Sequence, residues 1–250
     1  MKKDKLFWLH IKKSAGISTR KMLYPLYTEV DRVERPACFI QSMEEEYNDI
    51  LNNYRVVLGQ YQFRRCLFAQ KFLYPQDFDR HLRVAFSRNP YDRCLSQFFY
   101  LWNKKRRLKQ QLRLRLSMAR QLKFRGVFRY DFTRFLDAIE ECQESPANSS
   151  PYGLHFQTHT AAMWPDIVDD HGRCLLDVIF RLEDLLPGVN HVRTALGQQP
   201  LDEAEAVHSN KSQKSFFEIP RDQKRKIENL FSKDFEIYEG MCARFGGSSF

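Results

Sequence analysis

The sequence predicts an α/β fold, a mostly parallel central sheet flanked by helices, and three observations carry that expectation. Short apolar runs at 6–11, 55–59, 82–87 and 177–182 are each long enough for a buried strand and too short for a helix of their own. Stretches of helical character separate them, and the first run passes through a small basic loop straight into one such stretch. At 250 residues the chain can bury a full core, with one domain spanning 1–250 as the default.

The first run breaks into Lys12-Lys13-Ser14-Ala15-Gly16, and Ser18 and Thr19 then open a helical stretch over 18–27. Small residues let backbone N–H groups close on an anion, and Lys13 adds a point charge. The helix's opening N–H groups and its dipole aim at the same spot. Strand, small basic loop and helix N-terminus together are the recipe for a phosphate cradle. The loop is not a Walker A motif, because Lys-Ser precedes the glycine. Read alone, it is equally an ordinary strand-to-helix turn.

Residues 31–40 form a connector. Ser42 followed by Glu45 has capping-box spacing and predicts a helix to about Asn53. The second strand, 55–59, ends at Gly59, with Gln60 next. The third, 82–87, runs directly into Arg88-Asn89-Pro90. Pro90 suits the first turn of a helix, where its missing N–H costs nothing. Ser96 then lies almost two turns in, at about 1.5 Å per residue. An anion along those turns reaches both Arg88 and Ser96; the alternative is an ordinary helix start with a solvated arginine.

Between positions 103 and 129 the chain carries eleven Lys or Arg residues and no acid, while the net charge of the whole is +9. Leu108, Leu112, Leu116, Met118 and Leu122 recur through this segment at roughly helical spacing, which predicts an amphipathic basic helix inserted at about 103–129. A solvated face is the plain reading. A polyanionic acceptor, an anionic membrane surface and nucleic acid are the functional ones, with nucleic acid last, because no nucleic-acid motif is present.

A second amphipathic helix is expected over 131–142, with Phe132, Phe135, Leu136 and Ile139 inward, then a Pro- and Ser-rich loop over 144–153. His155 and His159 share one face if their segment is helical; no third metal ligand lies close in sequence, so no metal is assigned. The fourth strand runs into a short helix near 184. A polar loop or lid spans 198–215.

Composition closes off several classes. Mean hydropathy is −0.56, and no apolar run approaches the ~20 residues of a membrane helix. The N-terminal run is broken by His10 and two lysines, unlike a signal peptide. These features point to a cytoplasmic protein, with a trimmed Golgi luminal domain as the alternative. Six cysteines are scattered without C-x-x-C pairs, which argues against a zinc site or redox dithiol.

The pattern His10-Ile11-x-Lys13-Ser14-Ala15-Gly16-x-Ser18 resembles the 5′-phosphosulfate loop of sulfotransferases that use PAPS, 3′-phosphoadenosine 5′-phosphosulfate. Arg88-Asn89-Pro90-Tyr91-Asp92-Arg93-x-x-Ser96 resembles their 3′-phosphate motif. Weaker likenesses lie at 177–184, at Asn210-Lys-Ser212 and over 220–238, the last implying a helix over 220–234 as in that family. The chain therefore resembles the PAPS-dependent carbohydrate sulfotransferases, heparan and chondroitin Golgi types and their bacterial relatives. That resemblance implies a P-loop-like three-layer fold and transfer of sulfate from PAPS to a saccharide or polysaccharide hydroxyl, releasing PAP, without a metal. It places Lys12, Lys13, Ser14, Ala15, Gly16, Ile17, Ser18 and Thr19 around the 5′-phosphate, Arg88 and Ser96 on the 3′-phosphate, and Ser212 also at the nucleotide. Lys13 would stabilise charge on the departing phosphate oxygen. Ile17 stands where the family usually has a hydroxyl. No acid ends the third strand as a Walker B aspartate would, which weighs against a P-loop kinase.

Many members carry Gly-His after the second strand, with that His as the proposed base; this chain has Gly59-Gln60. Neutral glutamine can position a hydroxyl but cannot take its proton near neutral pH. His155 and His159 become the candidate bases. An acidic acceptor needing little help, or a weakly catalytic PAP- or polyanion-binding module, are the alternatives. Gln60, Lys104 and Arg107 are the expected acceptor contacts, and the basic segment favours an acceptor that already carries carboxylate or sulfate.

Overall fold

A computed structural model of the chain describes residues 3–23, 26, 58–102, 121–144, 153–203 and 218–240, with the backbone alone over 121–128. The helix expected at 42–53, most of the second strand at 55–59, the basic stretch 103–120 and the segment 204–217 lie outside the described residues. So does the loop at 145–152.

The described strands are β1 (Lys5–Leu9), β2 (His81–Ser87) and β3 (Val178–Arg181). They pair in that order and all run parallel, with Trp8 opposite Val84 and Ala85 opposite Ile179. The helices, in chain order, are α1 (Gly16–Leu23), α2 (Arg65–Phe68), α3 (Pro90–Leu101), α4 (Gln121–Glu144), α5 (Gly153–Thr160), α6 (Trp164–Ile167), α7 (Leu185–Ala195), α8 (Arg221–Leu230) and α9 (Ser232–Tyr238). This is the expected α/β architecture, a parallel sheet flanked by helices.

The described residues gather into two compact units, one of 1–89, 162–210 and 233–250, the other of 90–161 and 211–232. The first holds the sheet. Successive side chains on a strand point to opposite faces, so apolar runs without alternation mark strands covered on both sides. Leu6 and Trp8 join Leu82, Val84 and Phe86 on one face, where Met22 and Leu23 of α1 and Val189 and Val192 of α7 cover them. Phe7, Leu9 and Ala85 face the other way, toward Leu67 and Phe68 of α2 and Ile167 of α6. Each buried Leu, Val, Ile, Met or Phe side chain among them contributes about 1.5–3 kcal/mol. Helix α7 lies close to the sheet because Gly188 has no side chain: a Cβ there would meet the Phe180 ring at 2.7 Å and the Phe86 ring at 2.9 Å.

Ion pairs hold the N-terminal edge of the sheet. Asp177, one residue before β3, accepts from the Arg83 guanidinium at 2.6 Å, from the Arg83 backbone N–H at 2.8 Å and from Lys3 at 3.2 Å. Arg83 also donates to Asp79 at 3.0 Å, and Arg80 pairs with Asp4.

The second unit is helical. Phe132, Phe135, Leu136 and Ile139 of α4 are fully buried, as their spacing predicts. Phe98 of α3 meets the rings of Phe132 and Phe135 edge-on. Helix α4 starts ten residues earlier than the expected 131, running through Gly126; a helical glycine costs about 1 kcal/mol against alanine, too little to end a 24-residue helix. The helix expected over 220–234 is instead two, α8 and α9. They part at Phe231, which leaves helical geometry and lies buried beneath the Arg93 guanidinium, 5.0 Å from the ring centre.

Candidate active site

The loop between β1 and α1 sits at the C-terminal edge of the parallel strands, where open α/β sheets place their ligands. It turns tightly: the Ser14 N–H donates to the Ile11 carbonyl at 3.2 Å. Lys13 has φ 69° and Ala15 φ 54°, and among the described residues these are the two non-glycine positions with positive φ. Such conformations cost an L-residue about 1–2 kcal/mol each and persist where surrounding structure over-determines them, often at ligand sites. Alternate left-handed residues turn successive N–H groups toward one concave side, an arrangement that takes anions.

Gly16 opens α1 because nothing larger fits: an added Cβ would stand 1.9 Å from Nε2 of His10. The His10 ring also stacks on Trp8, centroids 5.4 Å apart. The first bond within the helix runs from the Thr19 N–H to the Ala15 carbonyl at 3.0 Å. Thr19 is buried, and its hydroxyl donates to the same carbonyl at 3.2 Å, so its proton serves the helix start. Ser18 is buried and Ile17 exposed. The Ser14 hydroxyl is buried without a hydrogen-bond partner among the described residues. An unpaired buried hydroxyl costs about 1–3 kcal/mol, and a ligand oxygen is the group that fits it.

Two arginines reach the loop's carbonyls. Arg88, at the end of β2, donates to the Lys13 carbonyl at 3.3 Å. Arg65, at the start of α2, donates to the His10 carbonyl at 3.2 Å. Arg65 is buried with Asp166: one carboxylate oxygen accepts from its guanidinium at 2.7 Å and the other from its backbone N–H at 3.0 Å. Burial pulls the Arg65 pKa down, and the adjacent Asp166 charge more than restores it, leaving it above its ordinary value. Burial and the same carboxylate push the Cys66 thiol well up, so Cys66 is an inert packed thiol. Cys94, buried in the second unit, is likewise pushed up to about 12 by burial.

The loop thus joins strained backbone, an orphaned hydroxyl and cations, in a stretch with no Asp or Glu from Lys5 to Thr28. Those features suit an anion, and the loop that carries them joins a parallel α/β sheet without the Walker A glycine pattern. A family model described as "Sulfotransferase family" matches residues 1–239. The chain belongs to the sulfotransferase family. No curated protein and no solved structure gives a match. The family's chemistry is transfer of a sulfuryl group to an acceptor.

Gln60 is exposed in a single 3-10 turn, Gly59–Tyr61, that begins at a positive-φ glycine. Ser96 lies on α3 in the second unit, half-buried. His155 and His159 lie on α5, their ring centres 4.4 Å apart, with Tyr100 stacked on His159 at 5.0 Å. His159 Nδ1 is 2.8 Å from the His155 carbonyl. A carbonyl only accepts, so Nδ1 carries the hydrogen and, in the neutral ring, Nε2 offers a lone pair. Among the described residues no group of three or more His, Cys, Asp or Glu is placed to hold a metal ion, and no helix is long and apolar enough to cross a membrane. Lys104, Arg107 and Ser212 lie outside the described residues. Sequence reasoning missed Arg65 and Asp166, which are 101 positions apart; no local signal joins them.

Proposed function

We propose that the protein transfers the sulfuryl group of PAPS to a hydroxyl of a saccharide or polysaccharide, releasing PAP. The observation that carries this reading is the loop from His10 to Gly16, with its two left-handed residues and its orphaned Ser14 hydroxyl. PAPS supplies the activated sulfuryl group. The chain's own residues do the rest. Ser14 donates its hydroxyl to a phosphate oxygen, joined by the opening N–H groups of α1 at Gly16, Ile17 and Ser18. The Lys13 ammonium stabilises the charge that grows on the departing phosphate oxygen, and fixed donors of this kind need no reorganisation as the charge develops. Arg88 and Ser96 recognise the 3′-phosphate. His159, with a lone pair on Nε2, is the favoured base for the acceptor proton, His155 the second candidate, and Gln60 positions the acceptor hydroxyl. The saccharide class rests on the motif resemblance, and an acceptor already bearing carboxylate or sulfate suits the basic residues around Lys104 and Arg107.

The test is calorimetric titration of PAP into the wild type, Lys13→Ala and Arg88→Ala, followed by saccharides with PAPS and measurement of PAP release. Each lost charge-assisted contact removes about 1.5–3 kcal/mol, so each variant binds PAP roughly ten- to a hundredfold more weakly. A folded wild type that binds no PAP overturns the reading. Turnover that survives replacement of both His155 and His159 by Ala removes the base assignment alone.

Exposed Gln60, in place of the family's histidine, favours a second reading, a PAP- or polyanion-binding module with little turnover. Tight PAP binding with no sulfate transfer to any saccharide tested would select it.

A further inference from the structure

We propose that Arg65 and Asp166 are positioning residues that hold the β1–α1 loop in its anion-binding shape. The argument begins with strain. Lys13 and Ala15 stay in left-handed conformations only if something fixes the loop at its ends. At the far end Arg88 draws in the Lys13 carbonyl. At the near end Arg65 draws in the carbonyl of His10, whose ring in turn lies against Gly16, the first residue of α1. Each of these bonds ties one peptide plane of the loop to a guanidinium, so both ends of the strained segment are anchored.

Arg65 is itself held rigidly. Asp166 grips it by both backbone and guanidinium, with side chains only 7% and 3% exposed. Asp166 belongs to α6, a single turn whose first N–H groups, those of Met163 and Trp164, donate to the buried carboxylate of Asp234 at 2.9 and 3.0 Å. A line of buried charged and polar contacts therefore runs from Asp234 through α6, Asp166 and Arg65 to the loop. Arg65 has its guanidinium engaged by Asp166 and the His10 carbonyl and is sealed from solvent, so it acts through the loop rather than on the ligand.

The proposal rests on the PAPS reading, and the experiment separates the two. Full-length wild type, Arg65→Lys, Asp166→Asn and Asp177→Asn are titrated with PAP, and amide hydrogen exchange over 11–18 is followed without ligand. Asp177→Asn is the control, because it breaks an arginine pair at the opposite edge of the same sheet. Arg65→Lys and Asp166→Asn are expected to bind PAP at least tenfold more weakly, raise KM for PAPS without raising KM for the acceptor, and exchange faster over 11–18. Asp177→Asn stays within twofold of wild type in all three. Wild type that binds PAP beside a folded Asp166→Asn that binds it equally well overturns this proposal alone; so does an equal loss in Asp177→Asn. Wild type that binds no PAP overturns both. If Asp166→Asn does not fold, Arg65→Lys, which keeps the charge but not the fork geometry, decides by the same criteria.

Discussion

Two arginine–aspartate pairs, Arg83–Asp177 and Arg65–Asp166, hold opposite edges of one sheet and do different work. At the N-terminal edge Arg83 shares Asp177 with Lys3 and donates through a second guanidinium nitrogen to exposed Asp79. Among the described residues Lys3, Lys5, Arg80 and Arg83 each pair with a carboxylate there, and the Arg83 and Asp177 side chains are 16% and 24% exposed. At the C-terminal edge Arg65 and Asp166 are sealed, and a second guanidinium nitrogen of Arg65 donates to the backbone of a strained loop. The first arrangement joins strand ends. The second transmits rigidity to a cationic loop whose own sequence contains no acid. Burial and the destination of one donor, rather than the type of ion pair, separate a fastening from a support for a binding site.

The sharpest test of that contrast is to break each pair from the same side. Arg65→Met leaves Asp166 buried and unpaired, which costs about 3–5 kcal/mol. Arg83→Met leaves Asp177 with Lys3 and water and should cost roughly 1 kcal/mol, as exposed pairs do. Urea denaturation of both variants checks this, and equal losses would erase the distinction.

Next in size is Gly16→Ala. The added methyl meets the His10 ring, and overpacking of this kind costs about 1–3 kcal/mol. The double variant with His10→Ala should recover most of the loss if that ring is the obstacle; a simply additive double variant would place the obstacle elsewhere.

A pH series separates the edges further. The Asp177 carboxylate loses by burial but is held below its ordinary range by the Arg83 hydrogen bonds and by the charges of Arg83 and Lys3. A folded-state pKa below the unfolded one, about 3.9, gives stability that is present above the unfolded value. That stability is lost as the pH falls through the folded value. Asp177→Asn should therefore flatten the acid limb of stability below about pH 4 and leave PAP affinity near neutrality unchanged. An acid limb identical to wild type would remove the assignment.

The smallest effect is the most diagnostic. Ser14→Ala deletes a buried hydroxyl with no protein partner among the described residues, so stability should hold or rise slightly. PAP affinity should fall by about 0.5–1.5 kcal/mol, the net worth of one hydrogen bond. A stability loss without an affinity loss would show that the hydroxyl serves the fold.

Much of the fold was legible because strand and helix signals are local. The run 82–87 followed by Pro90 marks β2 and α3, and the i, i+3, i+4, i+7 spacing from Phe132 to Ile139 gives the buried face of α4. The break at Phe231 was not legible, since it follows from the aromatic ring's burial under an arginine 138 positions earlier. Thr19 reads as a phosphate ligand from its place in the motif, yet its hydroxyl proton goes to the Ala15 carbonyl.

By itself the sequence determined the parallel α/β class, the basic loop between β1 and α1 and the placing of Arg88 at a strand's end. Each depends on neighbours a few residues apart, through side-chain periodicity, helix capping and proline's fixed geometry. Only the tertiary structure decided that Lys13 and Ala15 are left-handed, that Gly16 makes room for His10 and that Arg65, not a neighbour, meets Asp166. Those outcomes depend on which distant groups share one buried volume, and burial turns an ion pair from a weak surface contact into a rigid brace.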